Sequence, residues 1–176
     1  MLLPGAKVEA EAYAGVLSGL VIDEGMTVVV AKPWLNLALL DPRGLDTFTD
    51  LAPPSIGSWI VGGHSLGGVR AACSPRTPTR CSCWAPTARQ TCPAPTCRSS
   101  ASPAARTACP PPEKIAENRD MLPDDATMVE IEGASHASFG SYGAQQRDGT
   151  STVTLPDMIA GIRDSTMGGL VERIDR

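Results

Sequence analysis

Apolar residues recur at helical spacing in Val8-Glu9-Ala10-Glu11-Ala12-Tyr13-Ala14-Gly15-Val16-Leu17, which predicts an amphipathic helix continuing to Asp23-Glu24 and stopped by Gly25. Met26-Thr27-Val28-Val29-Val30-Ala31 is a short β-branched run that predicts a buried strand. Residues 35–40 are apolar and end at Asp41-Pro42, and residues 45–51 predict a short helix closed by Pro53-Pro54. Ser58-Trp59-Ile60-Val61-Gly62-Gly63 predicts a second buried strand. Later in the chain, residues 113–122 predict a helix between prolines, and Thr127-Met128-Val129-Glu130-Ile131-Glu132 alternates like a strand. Gly133-Ala134-Ser135-His136 follows as a loop, and residues 155–162 and 170–174 predict two helical pieces. Helices alternating with strands point to βαβ units, hence an α/β fold: a mostly parallel sheet flanked by helices.

The pattern breaks down between residues 70 and 112. This stretch uses only Ala, Arg, Cys, Gln, Pro, Ser, Thr and Trp, so it has almost nothing to bury, and its six arginines face no acid within it. Read directly, it is a basic, Pro-rich, disordered segment able to bind an acidic partner. All six cysteines (Cys73, Cys81, Cys83, Cys92, Cys97, Cys109) fall here, without a C-x-x-C pair or a histidine within the stretch, which speaks against a zinc site.

The 176 residues fit one domain, 1–176, with the aberrant stretch inside it, and 42% hydrophobic residues suffice for one core. A net charge of −4 gives no reason to expect nucleic acid or an anionic membrane as partner, and no apolar run spans a bilayer. Met1-Leu2-Leu3-Pro4 lacks the basic and apolar regions of a signal peptide and reads as a strand cut short. The compartment stays open, because a targeting signal would precede Met1, with cytoplasmic as the default.

Gly63-His64-Ser65-Leu66-Gly67 matches G-x-S-x-G directly after a predicted strand. That pattern needs its glycines because the serine sits on a sharp strand-to-helix turn where side chains at the flanking positions would strike neighbouring backbone. The bland alternative is a Gly-rich loop with an exposed serine. His136, in a loop after a predicted strand, is the candidate base, against the alternative of a solvated loop histidine; His64 is expected to pack beside the turn and take no proton. Pro4-Gly5-Ala6-Lys7 is either an ordinary strand-to-helix turn or the source of a second oxyanion donor. No carboxylate lies between Ser65 and Glu113; Asp124 and Asp125 read as a turn or cap, and Asp120 as part of a helix face.

Several pieces together resemble a bacterial family of small α/β-hydrolases, the alpha/beta hydrolase fold-5 type. They are Pro4-Gly5-Ala6-Lys7-Val8 with Ala12-Tyr13, Leu35-Asn36-Leu37-Ala38, Gly62-Gly63-His64-Ser65-Leu66-Gly67-Gly68-Val69 and Pro112-Glu113-Lys114-Ile115-Ala116. Glu132-Gly133-Ala134-Ser135-His136-Ala137-Ser138-Phe139-Gly140, Tyr142-Gly143 and Asp148-Gly149-Thr150 complete the set. The resemblance implies an α/β-hydrolase fold, here incomplete, and hydrolysis of an ester through an acyl-serine. It implies nucleophile Ser65, base His136 and oxyanion donors at the N–H groups of Leu66 and Ala6. It implies a small-molecule substrate, no cofactor, and strands ahead of Met1. Family members carry Asp-Gly-Leu just before the Pro-Glu-Lys helix, where this chain has Thr107-Ala108-Cys109.

The odd stretch reads as a slipped reading frame. Ala, Pro, Thr and most Ser codons carry C at the centre, and Arg, Cys and Trp carry G, as if the GC-rich third position had moved inward. Undoing a one-base slip turns Cys83-Trp84 into Leu and Trp84-Ala85 into Gly, and turns the positions from Arg80 into mostly apolar residues. Arg106-Thr107-Ala108-Cys109 can yield Asp-Gly-Leu. Two compensating slips, near Arg70 and near Pro110, account for the whole stretch. On this reading the chain has lost its triad acid near Arg106-Thr107, along with the central strand expected at residues 80–85. It is then expected to fold poorly and to be essentially inactive.

Overall fold

The computed structural model describes residues 1–72, 80–84, 99–102, 129–146 and 148–174. Among these residues the strands are β1 (Leu2–Leu3), β2 (Ile60–His64), β3 (Arg80–Trp84) and β4 (Ser99–Ser102). They form one sheet in the order β1-β2-β3-β4, with every neighbouring pair parallel. The helices are α1 (Ser18–Ile22), α2 (Asp46–Thr49), α3 (Leu66–Ala72) and α4 (Leu155–Ile174). This is the parallel sheet flanked by helices that the alternation predicts.

Successive strand residues point to opposite faces, and β1 shows the consequence in two residues. Leu2 enters a core with Val8, Tyr13, Val16, Leu17, Leu20, Ile131, Phe139, Met158 and Ile162, under α1 and α4. Leu3 enters the other core, with Ala31, Ala38, Leu45, Phe48, Val61 and Ala71, under α2 and α3.

The helix expected from Val8 to Gly25 is divided. Ala10–Tyr13 is a 3₁₀ turn, and α1 begins only at Ser18. Ala14, Ser18 and Leu20 each donate to the carbonyl three residues back, at 3.1 Å. This tighter winding stacks side chains three apart, so Tyr13 with Val16 and Leu17 with Leu20 face one core. Gly25 ends the element as expected, with φ +62°.

The strand expected over residues 26–31 contracts to one bridge, Leu2 to Val30, supported by Leu2 N–H to Val29 (2.7 Å) and Ala31 N–H to Leu2 (2.8 Å). Its neighbour β1 is only two residues long, so no further ladder can form. Residues 34–40 form two 3₁₀ turns that leave Trp34, Leu35, Leu39 and Leu40 exposed. α2 lies where a short helix is expected.

The expectation that the sheet loses its central strand is corrected. Arg80–Trp84 pairs with β2 across all five residues, from Ile60↔Arg80 to His64↔Trp84. A ladder uses only backbone groups, and residues 80–84 contain no proline. β4 then pairs with β3. The helix after Ser65 also forms, as the seven residues of α3.

The two helical pieces expected near the end are one helix, α4. The Asp157 N–H donates to Thr154 Oγ1 (3.3 Å) and the Thr154 hydroxyl donates to Asp157 Oδ2 (2.6 Å), capping its start. Met158, Ile162 and Thr166 are buried at four-residue spacing, and the Thr166 hydroxyl donates to the Ile162 carbonyl (2.7 Å). The polar run between Ile162 and Leu170 hid this continuity. The helix expected over residues 113–122 lies outside the described residues. Of the strand expected at 127–132, the described part carries a single bridge, at Ile131.

Two glycines give a stability test of opposite sign. A Cβ on Gly67 would overlap the backbone carbonyls of Leu3 and Pro4, whereas Gly168 is an exposed position in α4 with open space around it. Gly67→Ala is expected to lower unfolding stability by about 3 kcal/mol or more. Gly168→Ala is expected to raise it by up to about 1 kcal/mol. Urea denaturation of both variants checks the pair.

Candidate active site

The site lies where β1 and β2 end. β2 runs straight into Ser65, whose backbone is left-handed at φ 53°, and α3 starts at the next residue. A β-carbon residue accepts this conformation only where its surroundings force it. Here they do. A Cβ on Gly63 would overlap Gly67 and Gly68 backbone, and one on Gly67 would overlap the turn after β1. Strand, turn and helix are therefore pressed together, and the Ser65 side chain stands half-buried at the apex.

The turn after β1 contains the candidate donor Ala6. The Gly5 N–H donates to the Tyr13 hydroxyl (2.8 Å), the Lys7 N–H to the Asn36 carbonyl (2.8 Å) and the Val8 N–H to the Gly5 carbonyl (3.2 Å). The Ala6 N–H, between them, makes no hydrogen bond among the described residues. Lys7, at φ 61°, turns the chain sharply just after it. The Leu66 N–H lies in the first turn of α3, where no intrahelical acceptor exists. Two donors without a helical or turn partner thus flank Ser65, one in the next residue and one in the turn packed against Gly67.

His136 opens a 3₁₀ turn, His136–Phe139. Asp148 holds this turn from outside: His136 N–H donates to its Oδ1 (3.1 Å) and Ala137 N–H to its Oδ2 (2.6 Å). The Tyr142 hydroxyl donates to the His136 carbonyl (3.1 Å), and Phe139 is buried beneath. The imidazole of His136 lies against that of His64, with centroids 4.4 Å apart. The fold therefore brings the loop histidine to His64, the residue next to Ser65, across 72 positions of sequence. Burial holds the His136 pKa below its usual 6.5, with the Asp148 carboxylate pulling the other way.

His64 is fully buried, with Nδ1 2.9 Å from the Tyr13 hydroxyl. Burial, reinforced by the neighbouring charge of His136, lowers its pKa to about 3, with the His136 backbone acting weakly in the opposite sense. Burial likewise pushes Tyr13 up to about 12, against the Gly5 N–H, which favours its ionised form. Both groups are neutral near pH 7.

Ser65, Leu66, Ala6 and His136, read as candidates from the sequence, are thus all placed at or beside one elbow. Tyr13, Asp148 and Tyr142 were not singled out as site residues. Tyr13 reads as one apolar position of a helix, and nothing in the spacing of Asp148 or Tyr142 links either to His136. The missing acid near Arg106-Thr107, and Asp120, Asp124 and Asp125, lie outside the described residues. No group of three His, Cys, Asp or Glu side chains is gathered as a metal site among the described residues. No helix among them is long and apolar enough to cross a membrane.

The sequence model of the alpha/beta hydrolase family matches residues 1–80 and 102–159. The chain belongs to that family. The matched residues take in the turn at Ala6, the elbow at Ser65 and the loop at His136, and the match passes over residues 81–101, inside the stretch of eight residue types. No curated protein and no solved structure matches the chain.

The depressed His64 pKa sets a pH dependence of stability. The unfolded state binds a proton at this residue near the ordinary 6.5, and the folded state only near 3. This contribution is intact above pH 6.5 and is lost as pH falls towards 3, at a slope of about 1.4 kcal/mol per pH unit. His64→Asn, which cannot titrate, should flatten the fall in melting temperature over that window, as measured by circular dichroism.

Proposed function

We propose that the chain is a serine hydrolase of ester substrates, working through a covalent acyl-serine. The observation that carries this reading is the left-handed Ser65, held at a strand-to-helix turn by two glycines that admit no Cβ. Ser65 Oγ attacks the ester carbonyl carbon, and its proton passes to the His136 imidazole. The oxyanion is met by the N–H groups of Leu66 and Ala6. His136 returns the proton to the departing alcohol, and water repeats the cycle on the acyl-enzyme. The substrate is a small molecule and no cofactor is needed. Exposed Trp34, Leu35, Leu39 and Leu40 lie on the segment bonded to the Ala6 turn, which favours an apolar acyl or alcohol group.

A histidine base works best when an aspartate orients it. Asp148 spends both oxygens on backbone N–H groups, so it fixes the turn that carries His136. The orienting acid belongs, by family resemblance, near Arg106-Thr107, where the slipped frame removes it.

In the chain with its reading frame restored, and with a short-chain p-nitrophenyl ester, Ser65→Ala should abolish turnover, and His136→Ala should lower kcat by about 10³ or more. Unchanged hydrolysis in Ser65→Ala, or a loss under about tenfold in His136→Ala, refutes the respective role. Because His136 must be neutral to accept a proton and its pKa is depressed, kcat/KM should stay flat through neutral pH and fall only below 6.5. Restoring the reading frame between residues 70 and 110 should raise kcat by about 10³ to 10⁴ by returning the acid. Equal turnover in the two forms contradicts the slipped-frame account.

A further inference from the structure

His64 stands next to the nucleophile yet has no step in the proton path above. Its ring is enclosed by Tyr13, His136, Phe139 and Tyr142, with centroids 4.4 to 6.0 Å away. Its Nδ1 meets the Tyr13 hydroxyl at 2.9 Å, and the same hydroxyl oxygen accepts the Gly5 N–H at 2.8 Å. With that N–H occupying one lone pair, the hydroxyl proton is free to go to Nδ1, which places the His64 proton on Nε2. Nε2 is buried with no hydrogen-bond partner among the described residues. A ring needed only for packing would do better without that unmatched donor, because a phenyl ring fills similar space at no polar cost. The Nδ1 side, and what it holds, is what a histidine offers here.

What it holds is the turn carrying Ala6. A Cβ on Gly5 would lie 2.7 Å from His64 Nδ1 and 3.3 Å from the Tyr13 hydroxyl, so turn, phenol and imidazole are in direct contact. On its other side the His64 ring lies against His136. We propose that Tyr13 and His64 form a positioning couple for the reaction, tying the turn that bears the Ala6 N–H to the imidazole of His136. The inference rests on the hydrolase reading of Ser65 and His136. The couple touches no substrate. It acts by fixing where an oxyanion donor and the base stand relative to Ser65, and small misplacements of either cost rate steeply.

The test is saturation kinetics of Ser65 phosphonylation by an alkyl fluorophosphonate, on the full chain, with thermal melts of the same samples. Tyr13→Phe keeps the ring and removes the shared hydroxyl. It should lower the limiting rate by about tenfold or more and leave the half-saturating concentration within about twofold. His64→Asn keeps an acceptor near the place of Nδ1 and should recover more of the rate than His64→Leu. Wild-type limiting rate in Tyr13→Phe, or equal losses in the Asn and Leu variants, overturns the couple. If Tyr13→Phe melts too early to assay, the two His64 variants decide. Absence of any Ser65 adduct in the unaltered chain removes the hydrolase reading and the couple with it. Labelling that is present but indifferent to both residues removes the couple alone.

Discussion

The close approach of three backbone segments at the ends of β1 and β2 is the constraint on which the site depends. Gly63 passes the start of α3 with no room for a Cβ, and Gly67 passes the carbonyls of Leu3 and Pro4 in the same way. Two parallel strands in register, Leu3 beside Gly63, set this approach. The left-handed backbone of Ser65 follows from it, since strand and helix must join within one residue. So does the seat of the turn after β1, whose Pro4 carbonyl lies directly against Gly67 of α3. A strained residue costs about 1–3 kcal/mol, and the packing on both faces of the sheet offsets it.

Around this contact the protein arranges polar groups in a largely closed space. His64 and Tyr13 stay neutral because burial penalises their charged forms, and they link the β1 turn to the elbow through hydrogen bonds. His136 is less enclosed, and the carboxylate of Asp148 opposes the lowering of its pKa by burial. Two neighbouring imidazoles thus have different environments.

The sequence made the elbow legible because its requirements are local: two glycines, a serine and a preceding apolar run in fixed order. The parallel sheet and the places of α2 and β2 were legible for the same reason. What escaped it depends on partners distant in sequence. The strand at residues 26–31 shrank to a single bridge because β1 offers only two residues. The helix from Val8 tightened into 3₁₀ turns as Tyr13 and Val16 packed together. α4 ran on through polar residues because Met158, Ile162 and Thr166 found a core. Arg80–Trp84 joined the ladder despite its composition, since backbone pairing asks nothing of side chains once proline is absent. Tyr13 and Asp148 are linked to the site only through contacts spanning 51 and 12 residues, which no spacing rule encodes.

The most direct test of the central claim is peptide mapping by tandem mass spectrometry after exposure to a fluorophosphonate. The account predicts a single phosphonyl adduct, on Ser65, the serine among the described residues whose backbone is left-handed at a strand-to-helix turn. No adduct, or adducts spread over other serines with Ser65 unmodified, would contradict it.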